Sequence, residues 1–264
     1  MNEELVLSVS HVSGGYHEGG RFRKGTYQEV LHDVTFDVHD GEILGLVGES
    51  GTGKSTLSRA ILGIIQPDQG SITHYTKRPQ MIFQDPYSSL NPAYTVGWSM
   101  EEPLRIFGKY DAAERKKRVR EMLRRVELPE ECLAAKPGEL SGGQRQRVYL
   151  AMTVAQETPL LLWDEPATYL DVGSRLAVME LARRLNQSGK TVVMTLHDLS
   201  DALTVSHRVC LMDGAGTVVM AAPPEAVYRS GALDRVFSVR TEQVRSPSGD
   251  VAYLFAPGDT RKEG

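Results

Sequence analysis

EILGLVGESGTGKSTLSRAILGII, residues 42–65, joins an apolar run to a glycine-punctuated loop and then to a stretch rich in Leu, Ile and Ala. The order reads as strand, loop and helix, the first unit of a parallel α/β sheet. Within it, GESGTGKST (48–56) has the GxxxxGK[ST] spacing of a phosphate-binding loop, in the strand-to-helix context that gives the pattern its meaning. Gly48, Gly51 and Gly53 let the backbone wrap inward, so that the N–H groups of Gly48, Glu49, Ser50, Gly51, Thr52, Gly53 and Thr56 can line a cradle at the positive end of a helix. Lys54 is expected to reach the β- and γ-phosphates, and the Ser55 hydroxyl to ligate Mg²⁺. A plain glycine turn before a helix would not require Lys-Ser at that point.

The rest of the chain supplies chemistry for that loop. PLLLWDE (159–165) and TVVMTLHD (191–198) are apolar runs that end in polar residues, the pattern of buried parallel strands. Asp164, at a strand end, is expected to hold the Mg²⁺ shell, and Glu165 to polarise an attacking water as general base. Gln84, in QMIFQDP, can orient water or touch the metal. His197 follows a strand of the same sheet, so it should face the same crevice and reach the γ-phosphate.

Ahead of the loop, LVLSV and DVTFDV alternate like half-buried antiparallel strands, with GGYHEGGRFRKGTYQE (14–29) expected as a long exposed hairpin loop. Residues 98–137 turn charged and helical in period, which predicts a helical lobe inserted in the sheet domain. GSRLAVMELARRLNQSGK reads as an amphipathic helix stopped by Gly189, and VFSVRTEQV with VAYLF as a small hairpin near the end. The expected fold class is α/β: a P-loop NTPase-type, mostly parallel sheet core with an antiparallel β subdomain and an inserted α-helical lobe. The expected division is a nucleotide-binding ATPase unit over 1–230, with the lobe at about 98–157, followed by a hairpin and tail over 231–264.

Thirty Lys and Arg against 34 Asp and Glu leave a formal net charge of −4, which argues against nucleic acid as a partner. Cys132 and Cys210 lie in no CxxC or Cys/His cluster and read as reduced cysteines. No signal peptide and no apolar window of membrane-spanning length is visible, so any span must come from a partner. In DAAERKKRVREMLRR (111–125) basic residues outnumber acidic ones, and a solvated helix face is the simpler reading of that surplus.

The phosphate loop, Gln84, LSGGQ (140–144), LLLWDEP and LHD occur in the order typical of ATP-binding cassette (ABC) ATPases, and from about residue 5 to 225 the chain resembles that family. The resemblance implies ATP as substrate. It implies that Ser141, Gly142, Gly143 and Gln144 contact the γ-phosphate of ATP held on an opposing cassette, identical or paralogous. Tyr16 matches the aromatic that stacks on adenine, and Asp171 closes ATYLD, which resembles the family's Ser-Ala-Leu-Asp interface loop but departs from it at Thr168 and Tyr169. The implied partners are transmembrane permease subunits and an extracytoplasmic solute-binding protein, with the chain peripheral on the cytoplasmic side of the membrane. FQDPYSSLNPAYTVG resembles importers of peptides and nickel, whereas TYLDVGSRLAVMEL and LHDLSDAL look more like iron-siderophore and cobalamin cassettes. An importer of a metal chelate, nickel or a small peptide is therefore expected. The alternative is a non-transport ABC ATPase of iron–sulfur assembly or DNA repair; the latter type carries long coiled coils or zinc modules, and none is visible here.

Overall fold

The computed structural model describes residues 4–18, 26–76, 79–82, 90–106, 108, 110–154, 158–168, 170–247, 249 and 251–258. Its centre is a six-stranded sheet in the order β5-β6-β7-β3-β8-β9, built from β3 (Ile43–Val47), β5 (Gln80–Ile82), β6 (Leu160–Asp164), β7 (Thr191–Leu196), β8 (Arg208–Met212) and β9 (Val218–Ala222). Neighbours are parallel except β8 and β9. A second sheet, in the order β2-β1-β4, is antiparallel and made of β1 (Leu5–Glu18), β2 (Thr26–His39) and β4 (Gln69–His74).

The continuous apolar runs of the central strands follow from cover on both faces. Leu44 and Leu46 of β3 point to one core with Val9, Val34 and Leu57, while Ile43 and Val47 point to another with Trp163, Met194, Met100 and Leu123. Successive side chains on a strand take opposite faces, so a strand sandwiched between two cores has no polar side to show.

The helical interval contains α2 (Val96–Ile106), α3 (Ala112–Arg125), two short 3₁₀ turns at Glu130–Leu133 and Pro137–Glu139, and α4 (Gly142–Val154); α1 is Lys54–Ile61. Asp111 caps α3, its carboxylate accepting from the Glu114 N–H at 2.8 Å. Beyond lie α5 (Val172–Gln187), α6 (Leu199–Val205), α7 (Pro224–Arg229), α8 (Ala232–Phe237) and the hairpin β10 (Val239–Arg245) with β11 (Val251–Pro257). Among the described residues no helix is long and apolar enough to cross a membrane. Cys132 and Cys210 are buried and free.

Two boundaries differ from the sequence reading. Gly14–Glu18 and Thr26–Glu29, expected as loop, are paired strand with Tyr16 opposite Gln28, because tertiary pairing accepts a Gly-Gly step that local propensity assigns to a turn. Val236 and Phe237, expected at the start of a strand, close α8; the chain turns at Ser238, which has φ 53°, before β10 begins.

Candidate functional site

The glycine loop, Glu165 and His197 meet at the carboxyl ends of β3, β6 and β7. β3 runs into the glycine loop, where Gly51 (φ 88°) and Gly53 (φ 92°) hold left-handed backbone before α1 starts at Lys54. The Thr52 hydroxyl ties the loop by donating to Glu49 O at 3.0 Å. Lys54 is buried, and its Nζ donates to the carbonyls of Gly48 and Glu49, both at 2.8 Å. Burial holds its ammonium below the usual lysine range, with Glu165 and Asp164 pulling the other way.

β6 delivers the carboxylates. Asp164 Oδ1 accepts from Ser55 Oγ at 3.3 Å and from Thr195 Oγ1 at 2.7 Å. Burial raises the Asp164 pKa above its ordinary value, against the lowering effect of those two hydroxyls. Glu165 follows with φ 49°, a left-handed conformation that in a non-glycine residue costs on the order of 1–3 kcal/mol and persists where the surroundings enforce it. Here the Glu165 N–H donates to Thr195 Oγ1 at 2.7 Å. On the side chain, Oε1 lies 2.5 Å from His197 Nε2, and Oε2 accepts from Thr168 Oγ1 at 3.3 Å. The dyad is half open: the Glu165 side chain is buried, while that of His197 is 42 % exposed.

Tyr16, Ser50, Gly51, Gly53, Lys54, Ser55, Thr56, Glu165 and His197 line one cleft, together with Val30. Tyr16 is 38 % exposed and its hydroxyl reaches Gln28 Oε1 at 3.4 Å, which leaves the phenol standing at the rim. The remaining expected residues form a second cluster. Ser141 and Gln144 make a reciprocal cap at the start of α4: the Gln144 N–H donates to Ser141 Oγ at 3.2 Å, and the Ser141 N–H to Gln144 Oε1 at 2.9 Å. Gly143 backs onto Ser174, whose Oγ would lie 2.8 Å from any Cβ placed there. Ser174 in turn donates from both N–H and Oγ to Asp171, which caps α5. Those bonds hold the Asp171 carboxyl below the usual range. None of Ser141, Gly142, Gly143, Gln144 or Asp171 lines the Lys54 cleft. Gln84 and Tyr169 fall outside the described residues.

Three roles escaped the sequence reading, one of them that of Thr168, named there only as a departure from the interface loop. Thr195 bridges Asp164 and Glu165, Thr168 holds Glu165, and Arg175 reaches Asp198 at 2.7 Å and Asp201 at 2.6 Å, pinning α5 to the start of α6 beside His197.

A profile of the ABC transporter family matches residues 31–168. The oligopeptide transport ATP-binding protein OppF of Haemophilus influenzae is 36 % identical over 232 residues, covering 80 % of this chain and 70 % of that one. The nickel import ATP-binding protein NikE of Pseudomonas putida is 35 % identical, covering 83 % and 85 %. Among solved structures, a dimeric ATP-binding cassette in a post-hydrolysis state with ADP and Pi superposes with a TM-score of 0.72 at 30 % identity, covering 83 % of this chain and 98 % of that one. An inward-facing metal-chelate type ABC transporter gives 0.78 over 96 % and 98 %; at 23 % identity that likeness speaks for the fold alone. With the phosphate loop, Glu165 and the histidine on one cleft and Asp164 bonded to Ser55 of that loop, the chain belongs to the ABC transporter family, as an ATP-binding cassette that hydrolyses ATP.

Proposed function

We propose that the chain drives an importer of nickel, a metal chelate or a small peptide, working as one of two paired cassettes on the cytoplasmic face of transmembrane permease subunits. The observation that carries the site assignment is the convergence of Lys54, Ser55, Glu165 and His197, from three strand ends, on one cleft, with the buried Asp164 tied to it through Ser55. Two of the three Lys54 N–H donors bind the loop and the third is available to a phosphate oxygen. Ser55 Oγ and Asp164 Oδ1, both oxygen donors and 3.3 Å apart, fit a hard divalent cation. Among the described residues no group of three or more His, Cys, Asp or Glu surrounds a metal position, so the rest of the shell falls to phosphate and water, the habit of Mg²⁺. Bound there, Mg²⁺ would neutralise charge developing on the transferred phosphoryl group. Gln84 is proposed to join this shell or to orient water.

Glu165 accepts the proton of the attacking water, and His197, 2.5 Å away, orients it and donates toward the γ-phosphate. Tyr16 offers its ring to adenine. The backbone N–H groups of the loop from Gly48 to Thr56 cradle the phosphates. Ser141, Gly142, Gly143 and Gln144 complete the nucleotide site of the opposing cassette, with Asp171 beside the junction. The identity of the chain to peptide and nickel import proteins, with FQDPYSSLNPAYTVG in its sequence, supports the cargo class. An importer of this kind receives its cargo from an extracytoplasmic solute-binding protein.

Glu165→Gln keeps the shape of the base and removes its proton acceptance, so ATP should bind, pair two chains and persist. Gel filtration with ATP should then give a dimer, ATPase should fall by about 10²–10⁴, and adding Ser141→Arg should return the monomer. Lys54→Ala should abolish turnover. A Glu165→Gln chain that turns over ATP like the parent, or a dimer indifferent to Ser141→Arg, would remove the assignment. Loss of nickel, chelate or peptide uptake on deleting the gene tests the cargo.

A further inference from the structure

We infer that Thr195 is a positioning residue for ATP hydrolysis, its one hydroxyl fixing both carboxylates of the site at once; this rests on the roles proposed above for Asp164 and Glu165. Thr195 is fully buried in β7, directly opposite Asp164 in the parallel register of β6 and β7. Its Oγ1 donates to Asp164 Oδ1 at 2.7 Å and accepts from the Glu165 N–H at 2.7 Å. One atom therefore sets the rotation of the Asp164 carboxylate and the backbone plane of the next residue. The second effect matters because Glu165 sits at φ 49°, a conformation that surrounding contacts must enforce. Relaxation of that peptide would swing the Glu165 side chain away from His197 Nε2, 2.5 Å from its Oε1, and from Thr168 Oγ1. Both bonds of the hydroxyl lie inside the protein, and Thr195 does not line the Lys54 cleft. It acts on ATP only through its two neighbours.

The hydroxyl and the packing of this side chain can be separated. Thr195→Val preserves the shape without the oxygen; Thr195→Ser and Thr195→Ala both shrink the side chain and differ only in that oxygen. In the full-length chain, Thr195→Val and Thr195→Ala should lower kcat at least about tenfold, with KM for ATP within about threefold of the parent. Thr195→Ser should recover most of the rate. A second readout needs no turnover: the gain in fluorescent-ATP affinity on adding Mg²⁺ should shrink in the Val and Ala variants and persist in Ser. If Thr195→Val fails to fold, as judged by its thermal transition, the Ser–Ala pair decides alone. Equal impairment of Ser and Ala, or a Val or Ala variant with the parental kcat, overturns the proposal. Glu165→Gln assayed alongside separates the two readings. If it retains hydrolysis, the assignment of the base fails; if it is inactive while the folded oxygen-free variants are normal, only the role of Thr195 fails.

Discussion

Gly51 and Gly53 make a matched pair in which one term of the phosphate-loop energetics can be isolated. Both hold left-handed backbone at nearly the same angle, φ 88° and 92°. A Cβ at Gly51 would meet nothing within 4 Å, whereas one at Gly53 would lie 2.8 Å from Val30 O and 2.8 Å from Leu31 Cδ2. Alanine at either position carries the left-handed cost, about 1–2 kcal/mol, offset equally in both by about 0.4–1 kcal/mol from the stiffer unfolded chain. Only Gly53→Ala adds overpacking, about 1–3 kcal/mol. Little can relieve it, because the Val30 carbonyl is backbone of β2 and Leu31 is 2 % exposed. The difference between the variants is therefore that last term alone. For a chain of this size it corresponds to about 2–12 °C in melting temperature, from roughly 2–4 °C per kcal/mol. Thermal unfolding without nucleotide measures it, and Gly53→Ala should melt below Gly51→Ala, with fluorescent-ATP binding weakened wherever its loop yields to the clash. A Gly51→Ala protein that melts at or below Gly53→Ala would refute the reasoning, since the close approach of Val30 and Leu31 would then add nothing to the cost the two variants share.

Two further outcomes follow from the site. Tyr16→Ala should weaken ATP binding several-fold, since stacking contributes about 1 kcal/mol beyond burial, and Tyr16→Phe should not; equilibrium binding of the three proteins checks this. Asp164 has a folded pKa raised by burial above its ordinary 3.8, so its ionisation opposes folding. In protein free of nucleotide and Mg²⁺, the melting temperature of Asp164→Asn minus that of the parent should grow as pH rises from about 4 through the raised folded value, then level off. A gap that stays constant or shrinks on raising the pH would mean that the carboxylate is well compensated where it lies.

The legible parts of this protein are those whose physics is local. Strand, glycine loop and Lys-Ser stand within twelve residues of one another, and the pattern of 42–65 specifies β3, the loop and α1 almost by itself. β6 and β7 were readable as buried strands because both faces are covered, and so both are apolar. Thr195 was not readable. It is one hydroxyl in TVVMTLHD, and its value comes from a register with Asp164, 31 residues earlier, that no local pattern encodes. The Ser141–Gln144 cap, by contrast, carried a visible signal: Ser-x-x-Gln ahead of a helix is a capping box, overshadowed in the reading by the phosphate contact that LSGGQ implies. The strand at Gly14–Glu18 was hidden because glycine is judged by its local freedom, while here it serves close approach: a Cβ on Gly15 would strike the Gln28 carbonyl.

The place of β3 in the sheet also dictates when, during synthesis, the chain can first hold ATP. β3 is flanked on both sides by strands from the last third of the chain, Ile43 opposite Val192 on one side and Leu44 opposite Arg208 on the other. At about 5–20 residues per second, the ribosome needs roughly 8–30 s after making β3 to supply those neighbours. Until then the loop has its full motif and no sheet to hold it, and its strand presents two unpaired edges. Parallel pairing across so long a separation is slow to form even in the finished chain. Nucleotide therefore cannot guide the early steps of folding; its stabilisation arrives by mass action, once the last strands have closed around the first. During that interval the segments already made that can cover β3 are the antiparallel strands and α1, which bring Val9, Val34 and Leu57 to the core of Leu44 and Leu46.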